Sequence, residues 1–185
     1  MTDDYGKSWT NISSNLPVDY SVYVIKEDFI DENLLFVGTE KSVYFSINKG
    51  KSWEKLGSKL PSVAIHDLVI HPRDGDLVAG THGRSIWILD DISPLRKLDR
   101  KSNNITPIRK VTKWIKINTG RKQPFFEFRG ENPPDGSIIN FYSNENYNGK
   151  LKITNTSGLN MYSKSISLNK GINRFIWPLE LERNK

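Results

Sequence analysis

The chain has 185 residues, 36% apolar and 11% aromatic, enough for one domain or two small ones and too apolar for a disordered tail. It holds no cysteine, which excludes disulfides, thiol catalysis and cysteine-ligated metal, and no run near the roughly 18 apolar residues of a spanning helix. The net charge of +6 is unevenly spread: residues 1–95 carry 9 Lys/Arg against 14 Asp/Glu, residues 96–130 carry 11 against 2, and residues 131–185 carry 7 against 5.

The first element is an octet, Thr2-Asp-Asp-Tyr-Gly-Lys-Ser-Trp9, and it returns 44 residues later as Ser46-Ile-Asn-Lys-Gly-Lys-Ser-Trp53. Both copies read hydroxyl, any, Asp/Asn, any, Gly, any, Ser, Trp. This is the chemistry of a hairpin turn. Gly6 and Gly50 supply a backbone conformation that a Cβ penalises. Asp4 and Asn48 fold a side-chain oxygen onto turn N–H groups, and Ser8 and Ser52 add a second local hydrogen bond. Trp9 and Trp53 are then expected to fill the gap between neighbouring sheets. Asp4 as a catalytic acid or calcium ligand is disfavoured, because the second copy carries Asn and the turn already uses the side chain.

Between and after the octets come short segments rich in Val, Ile, Phe, Tyr and Trp, separated by Gly, Asp, Asn and Pro. "YSVYVI", "LLFVGT", "SVYFSI" and "KSWEKL" predict four strands, and "AIHDLVI", "DLVAGT" and "RSIWIL" predict three more. No segment has helical periodicity. Four short antiparallel strands in about 40 residues is the pattern of a propeller blade. The predicted content is a terminal strand after the first octet, one full blade and one blade of three strands, all within 1–95.

Residues 96–130 read as a basic linker. Its lysines and arginines, with Trp114 for stacking, are of a type that meets phosphates, but no nucleic-acid-binding signature accompanies them, and a nucleic-acid partner is not expected. The prolines and glycines of 120–137 mark a boundary. "SIINFYS", "GKLKITN", "NMYSKSISL" and "GINRFIWPL" then predict strands over 131–185, with "NTSGLN" as a hairpin turn. Pro178 removes a ladder donor, so the last strand is expected at an edge or ending there.

The octets resemble Asp-boxes, also called BNR repeats. The run "GTEKSVYFSINKGKSWEKLGSKLPSVAIHDLVIHPRDGDLVAGTHGRSIWILDDISPLR" (38–96) resembles the closing blades of large Asp-box propellers of the sortilin/VPS10-like or glycosyl-hydrolase-like family. The C-terminal segment is similar to the small FlgD-type, immunoglobulin-like β-sandwich that follows such propellers, although Trp177-Pro178-Leu179 stands where that family usually has Trp-Asp-Leu. The resemblance implies an all-β chain: a partial β-propeller of about two four-stranded blades, then a small C-terminal β-sandwich, itself incomplete. It also implies a longer, exported parent carrying further N-terminal blades. That parent would be periplasmic, cell-surface or secreted, although no signal peptide is visible in this sequence. Unpaired sheet edges in the isolated chain are expected to favour association.

Four residues are candidates for ligand contact: His66, Asp67, His82 and Arg84. His66 and His71 stand five apart, on opposite faces of a regular strand, so they do not form one metal site, and no metal or cofactor is expected. His71-Pro72 leads into the "RDGD" turn. The carboxylates Glu40, Asp67, Asp90 and Asp91 are available for glycoside hydrolysis, but no spacing selects a pair about 5–9.5 Å apart, and no catalytic residue is assigned. The resulting expectation is a non-catalytic binding or scaffold piece whose parent takes a carbohydrate or protein ligand. The alternative is part of a glycoside hydrolase completed by other blades.

Overall fold

The computed structural model describes residues 1–57, 60–96, 98–113 and 135–180. Trp114 and most of the 120–137 boundary segment lie outside them. Among the described residues there are twelve strands, every pairing antiparallel, and one 3-10 turn at Ser93–Leu95. The four sheets are open, none closing into a barrel. The chain is all-β, in two units, Met1–Leu98 and Asp99–Lys185.

In the first unit, β1 (Val22–Glu27), β2 (Leu35–Thr39), β3 (Val43–Ser46) and β4 (Glu54–Lys55) form a four-stranded sheet in chain order. A second sheet, also in chain order, contains β5 (Ile65–Ile70), β6 (Leu77–Thr81) and β7 (Ile86–Leu89). β2 is buried along its whole length because both its faces are covered. Leu34 and Phe36 join Val43, Phe45, Ile65, Leu68, Leu77 and Ala79 in the core between the sheets. On the opposite face, Leu35 and Val37 pack with Trp53, Ile12 and Leu16. A Cβ on Gly38 would lie 2.7 Å from Cγ1 of Val24, its cross-strand neighbour on β1, and 2.9 Å from the Ile65 carbonyl oxygen of the adjacent sheet. Glycine is therefore required by space there, at a position where no unusual φ demands it.

The two octets fold alike. In the first, the Thr2 hydroxyl accepts from Gly6 N–H (2.8 Å) and donates to Asp4 Oδ1 (2.8 Å), while Asp4 accepts from Ser8 N–H (2.9 Å) and Ser8 Oγ (2.7 Å). In the second, the Ser46 hydroxyl accepts from Gly50 N–H (2.9 Å) and donates to Asn48 Oδ1 (2.8 Å). Asn48 accepts from Ser52 N–H (2.9 Å) and gives its amide to Ser52 Oγ (2.8 Å). Tyr5, Gly6, Lys49 and Gly50 all have positive φ, the paired left-handed geometry of a primed hairpin turn. The hydroxyl that opens each octet thus satisfies the glycine N–H, a role its presence in the pattern hinted at and the turn explains.

The tryptophans part company. Trp53 is 3% exposed and donates Nε1–H to the Ile12 carbonyl (2.6 Å), and Asn15 brackets its backbone by accepting from Trp53 N–H (2.7 Å) and donating to its carbonyl (2.8 Å). Trp9 is 74% exposed, contrary to the expectation that both fill gaps. Trp53 packs against Leu35 and Val37 of β2, whereas among the described residues no strand packs against Trp9. The predicted terminal strand after the first octet is not among the strands of the described residues. Residues 10–17 instead form an irregular strap over Trp53, tied by Ser14 Oγ to the Lys51 carbonyl (2.9 Å).

A second tie closes the unit. Arg96 donates Nε–H and Nη2–H to the two oxygens of Asp28 (2.8 and 2.9 Å), whose side chain is wholly buried, and its guanidinium lies 5.5 Å from the centre of the Phe29 ring. The first basic residue of the 96–130 stretch is thus a buried clamp on the β1–β2 turn.

In the second unit, β8 (Asn104–Ile105), β9 (Ser137–Ser143) and β12 (Gly171–Trp177) form one sheet in the order β12-β9-β8. β10 (Tyr147–Thr154) and β11 (Asn160–Leu168) form a two-stranded partner. Ile139, Phe141 and Leu151 are the buried centre, with Ile153, Ile166, Phe175 and Trp177 against them, which makes the unit sandwich-like. Asn155 Oδ1 closes the β10–β11 turn by accepting from Ser157 and Leu159 N–H. β12 is an edge strand and ends at Trp177, immediately before Pro178.

Candidate functional site

The first strands of the two blade-like sheets, β1 and β5, run beside each other, and each carries a bulge at the same place. The β1–β2 register shifts between Val22 and Val24, and the β5–β6 register shifts between Ile65 and Asp67. The extra residues are Tyr23 and His66. A bulge turns its residue out of the strand's regular alternation. Here the two rings stack face to face, centroids 4.8 Å apart and planes within 8°. Offset-parallel stacking of this kind is favourable in itself, and both rings remain accessible on the surface.

His82 joins them from the β6–β7 turn, its ring centroid 5.3 Å from that of His66 and tilted by 40°. That turn is the counterpart of Thr39–Ser42 lengthened by one residue. In both, the threonine hydroxyl donates to the serine carbonyl across the turn, Thr39 to Ser42 and Thr81 to Ser85. Gly83 and Ser85 take positive φ to accommodate the longer path. His82 N–H donates to the Ala64 carbonyl (2.9 Å), which fixes the turn against the start of β5 and brings the two imidazoles together.

Of the four sequence candidates, the structure unites His66 and His82. Asp67, the next residue on β5, points its carboxylate at the backbone and accepts from Leu68 N–H at 2.8 Å. Arg84 is exposed in the turn, its carbonyl accepting Trp87 Nε1–H (2.9 Å). His71 lies in the β5–β6 turn, where its Nδ1 accepts from Asp74 N–H (3.2 Å), the part played in the β1–β2 turn by Asp28 Oδ2 for Asp31 N–H (3.0 Å). It is a turn cap. Asp91 is also structural: its N–H donates to Asp76 Oδ1 (2.9 Å) and its carboxylate accepts from Ser93 N–H (3.1 Å). Among the described residues, no group of three or more His, Asp or Glu side chains is placed to hold a metal ion.

Tyr23 was not among the sequence candidates. The repeat carries its signal, because Val22-Tyr23-Val24 and Ile65-His66-Asp67 superpose at an offset of 43 and set a ring at the same bulge in consecutive sheets. The assembled surface is two stacked rings and a third tilted against them. It offers flat π faces and imidazole nitrogens that both donate and accept hydrogen bonds.

Residues 1–178 match the family described as Sortilin, neurotensin receptor 3 (Sortilin-Vps10). The chain belongs to this family. The match runs through the second unit, well past the half of the sequence in which the Asp-box resemblance was read, and the sortilin/Vps10 assignment therefore covers both units. No curated protein and no solved structure matches the chain.

Proposed function

We propose that this sortilin/Vps10-family chain is a non-catalytic ligand-binding element, with the Tyr23–His66–His82 cluster as its contact surface. The observation that carries this reading is the stacked pair of bulge residues, one from each sheet. A bulge that places an exposed aromatic ring at the same position in two consecutive repeats serves recognition better than packing, because neither ring contributes to a buried core. The family's description as a receptor supports holding a ligand over transforming one. The chemistry fits a carbohydrate, whose C–H face stacks on rings while its hydroxyls bond imidazole nitrogens. It fits equally an aromatic-bearing protein segment. The two are separated by experiment. The chain's place within an exported Asp-box propeller, and the likeness of its second unit to a FlgD-type immunoglobulin-like module, belong to the same proposal.

Binding of a panel of neutral oligosaccharides and of tyrosine- or tryptophan-containing peptides is measured by calorimetry. A member of the panel that binds should lose at least about tenfold in affinity with Tyr23→Ala or His66→Ala, the magnitude of one lost aromatic stacking contact. Binding unaffected by both changes refutes the site. Turnover of chromogenic glycosides that disappears with Asp67→Asn or Asp91→Asn refutes the non-catalytic reading and favours the glycosidase.

A further inference from the structure

β10 and β11 form a ribbon whose two faces are chemically opposite. The register pairs Leu151 with Lys164 and Gly149 with Ile166 on one face, and Lys150 with Ser165 and Lys152 with Ser163 on the other. Leu151 is buried, and Ile153 and Ile166 pack beside it in the core of the unit. Alternation along each strand therefore turns Asn148, Lys150 and Lys152, with Ser167, Ser165 and Ser163 opposite them, away from that core. In this stretch the outer face holds no apolar or aromatic side chain, and neither strand contains an Asp or Glu.

Lys150 and Lys152 stand two residues apart on one strand, about 7 Å between Cα atoms. Both are exposed, and among the described residues neither has a carboxylate partner. Their like charges are left uncompensated by the protein. With Asn160, Ser163, Lys164 and Ser165 they line a groove of about 470 Å³. Lys164 is anchored, its ammonium 5.3 Å from the centre of the Phe175 ring. Ser163 Oγ is buried and has no hydrogen-bond partner among the described residues, an unmet donor in the wall of the groove. Lys152, directly opposite it, carries its charge on a flexible four-carbon stem that can swing aside for a ligand.

We propose that the outer face of the β10–β11 ribbon binds an acidic polysaccharide, as a second contact surface independent of the Tyr23–His66–His82 cluster. Directly opposite residues have Cβ atoms about 4.5–5.5 Å apart, so one sulfate or carboxylate group can accept from a lysine ammonium and from the facing serine hydroxyl together. Lys150 with Ser165 and Lys152 with Ser163 are two such pairs in succession, which suits a ligand carrying anionic groups in series. The neighbouring Asn148, Asn160 and Ser167 both donate and accept hydrogen bonds, as a hydroxyl-rich chain requires. A single-stranded nucleic acid would find no aromatic platform for its bases here, and a membrane would find no apolar side chains to bury.

The test titrates the full chain with dextran sulfate, polygalacturonate, neutral dextran and oligothymidine by calorimetry over a series of salt concentrations. At least one of the two acidic polysaccharides should bind, and neutral dextran should not bind at this face. Lys150→Gln and Lys152→Gln should each weaken binding about threefold to fivefold and together about tenfold. The slope of log affinity against log salt should fall by about 1 for each lysine removed. Lys170→Gln removes the same charge from the β11–β12 turn and should leave affinity within about twofold. Ser163→Ala should weaken binding about threefold without lowering the urea midpoint, because the hydroxyl it removes has no partner in the free chain. Failure of both acidic polysaccharides to bind, an equal loss with Lys170→Gln, or oligothymidine bound as tightly and with the same losses in the lysine variants overturns the proposal. A Ser163→Ala chain with a lowered midpoint and unchanged binding overturns the part assigned to Ser163.

Discussion

The two tryptophans of the repeat make a sharp internal comparison. Removing the indole of Trp53 takes away about 150–250 Å² of buried aromatic surface, worth about 4–6 kcal/mol at 25 cal/mol per Å². The compact unfolded chain lowers that figure, and large-to-small changes of this kind settle at about 3–5 kcal/mol. Trp53→Phe keeps most of the area but strands the Ile12 carbonyl, at about 1–3 kcal/mol. Trp9→Ala, at a side chain three-quarters exposed, should cost under about 1 kcal/mol although its octet is folded identically. Urea unfolding followed by hydrogen exchange at β2 and β3 amides reads the difference within the affected sheet. With a slope of about 1–2 kcal/mol per M, Trp53→Ala should shift the midpoint by roughly 2 M and Trp9→Ala by a few tenths. Equal costs at the two positions would refute the assignment of Trp53 as the plug and of residues 10–17 as its cover.

Arg96→Ala should cost about 3–5 kcal/mol in thermal or urea unfolding, since it leaves the Asp28 carboxylate buried without its cation; Arg96→Met with Asp28→Asn should recover part of that loss, because the amide oxygen still accepts from the turn N–H groups. Gly50→Ala should destabilise more than Gly6→Ala. Both positions have positive φ, but a Cβ on Gly50 would sit 2.8 Å from Ile12 Cβ, while the nearest atom to one on Gly6 is Trp9 Cζ2 at 3.9 Å. The octets should also differ in acid. Hydrogen bonds from Ser8 N–H and Oγ, with a further one from the Thr2 hydroxyl, lower the Asp4 pKa to about 2. A depressed carboxylate contributes stability above its unfolded value near 3.8 and loses it as pH falls through about 2. Ser8 amide exchange should therefore accelerate relative to Ser52 over that window, because Asn48 does not titrate; a constant ratio would refute the assignment.

The strands were legible because their apolar residues are bounded by Gly, Asp and Pro, and the octet was legible because its hydrogen bonds are local. What surrounds a turn is not local. Octets of one pattern gave opposite tryptophan environments, since burial depends on what packs against the turn and not on the hydrogen bonds within it. The Asp28–Arg96 pair joins residues 68 apart, and nothing in either neighbourhood names the other. His66 and His82 were legible as candidates, but their partner Tyr23 was not, because strict alternation hides a bulge; comparing the repeats at that position exposes it. His71, read from the sequence as leading into the "RDGD" turn, caps that turn through Nδ1.

Gly38 carries a consequence for how such sheets can be stacked. Its missing side chain leaves the space that Val24, across the β1–β2 ladder, and Ile65, from the adjacent sheet, both occupy. Gly80 stands at the matching place in the second sheet, and a Cβ there would find nothing nearer than Asp67 at 3.8 Å. A single alanine at Gly38 would push against Val24 of β1 and Ile65 of β5 at once, the two strands that bring Tyr23 and His66 together.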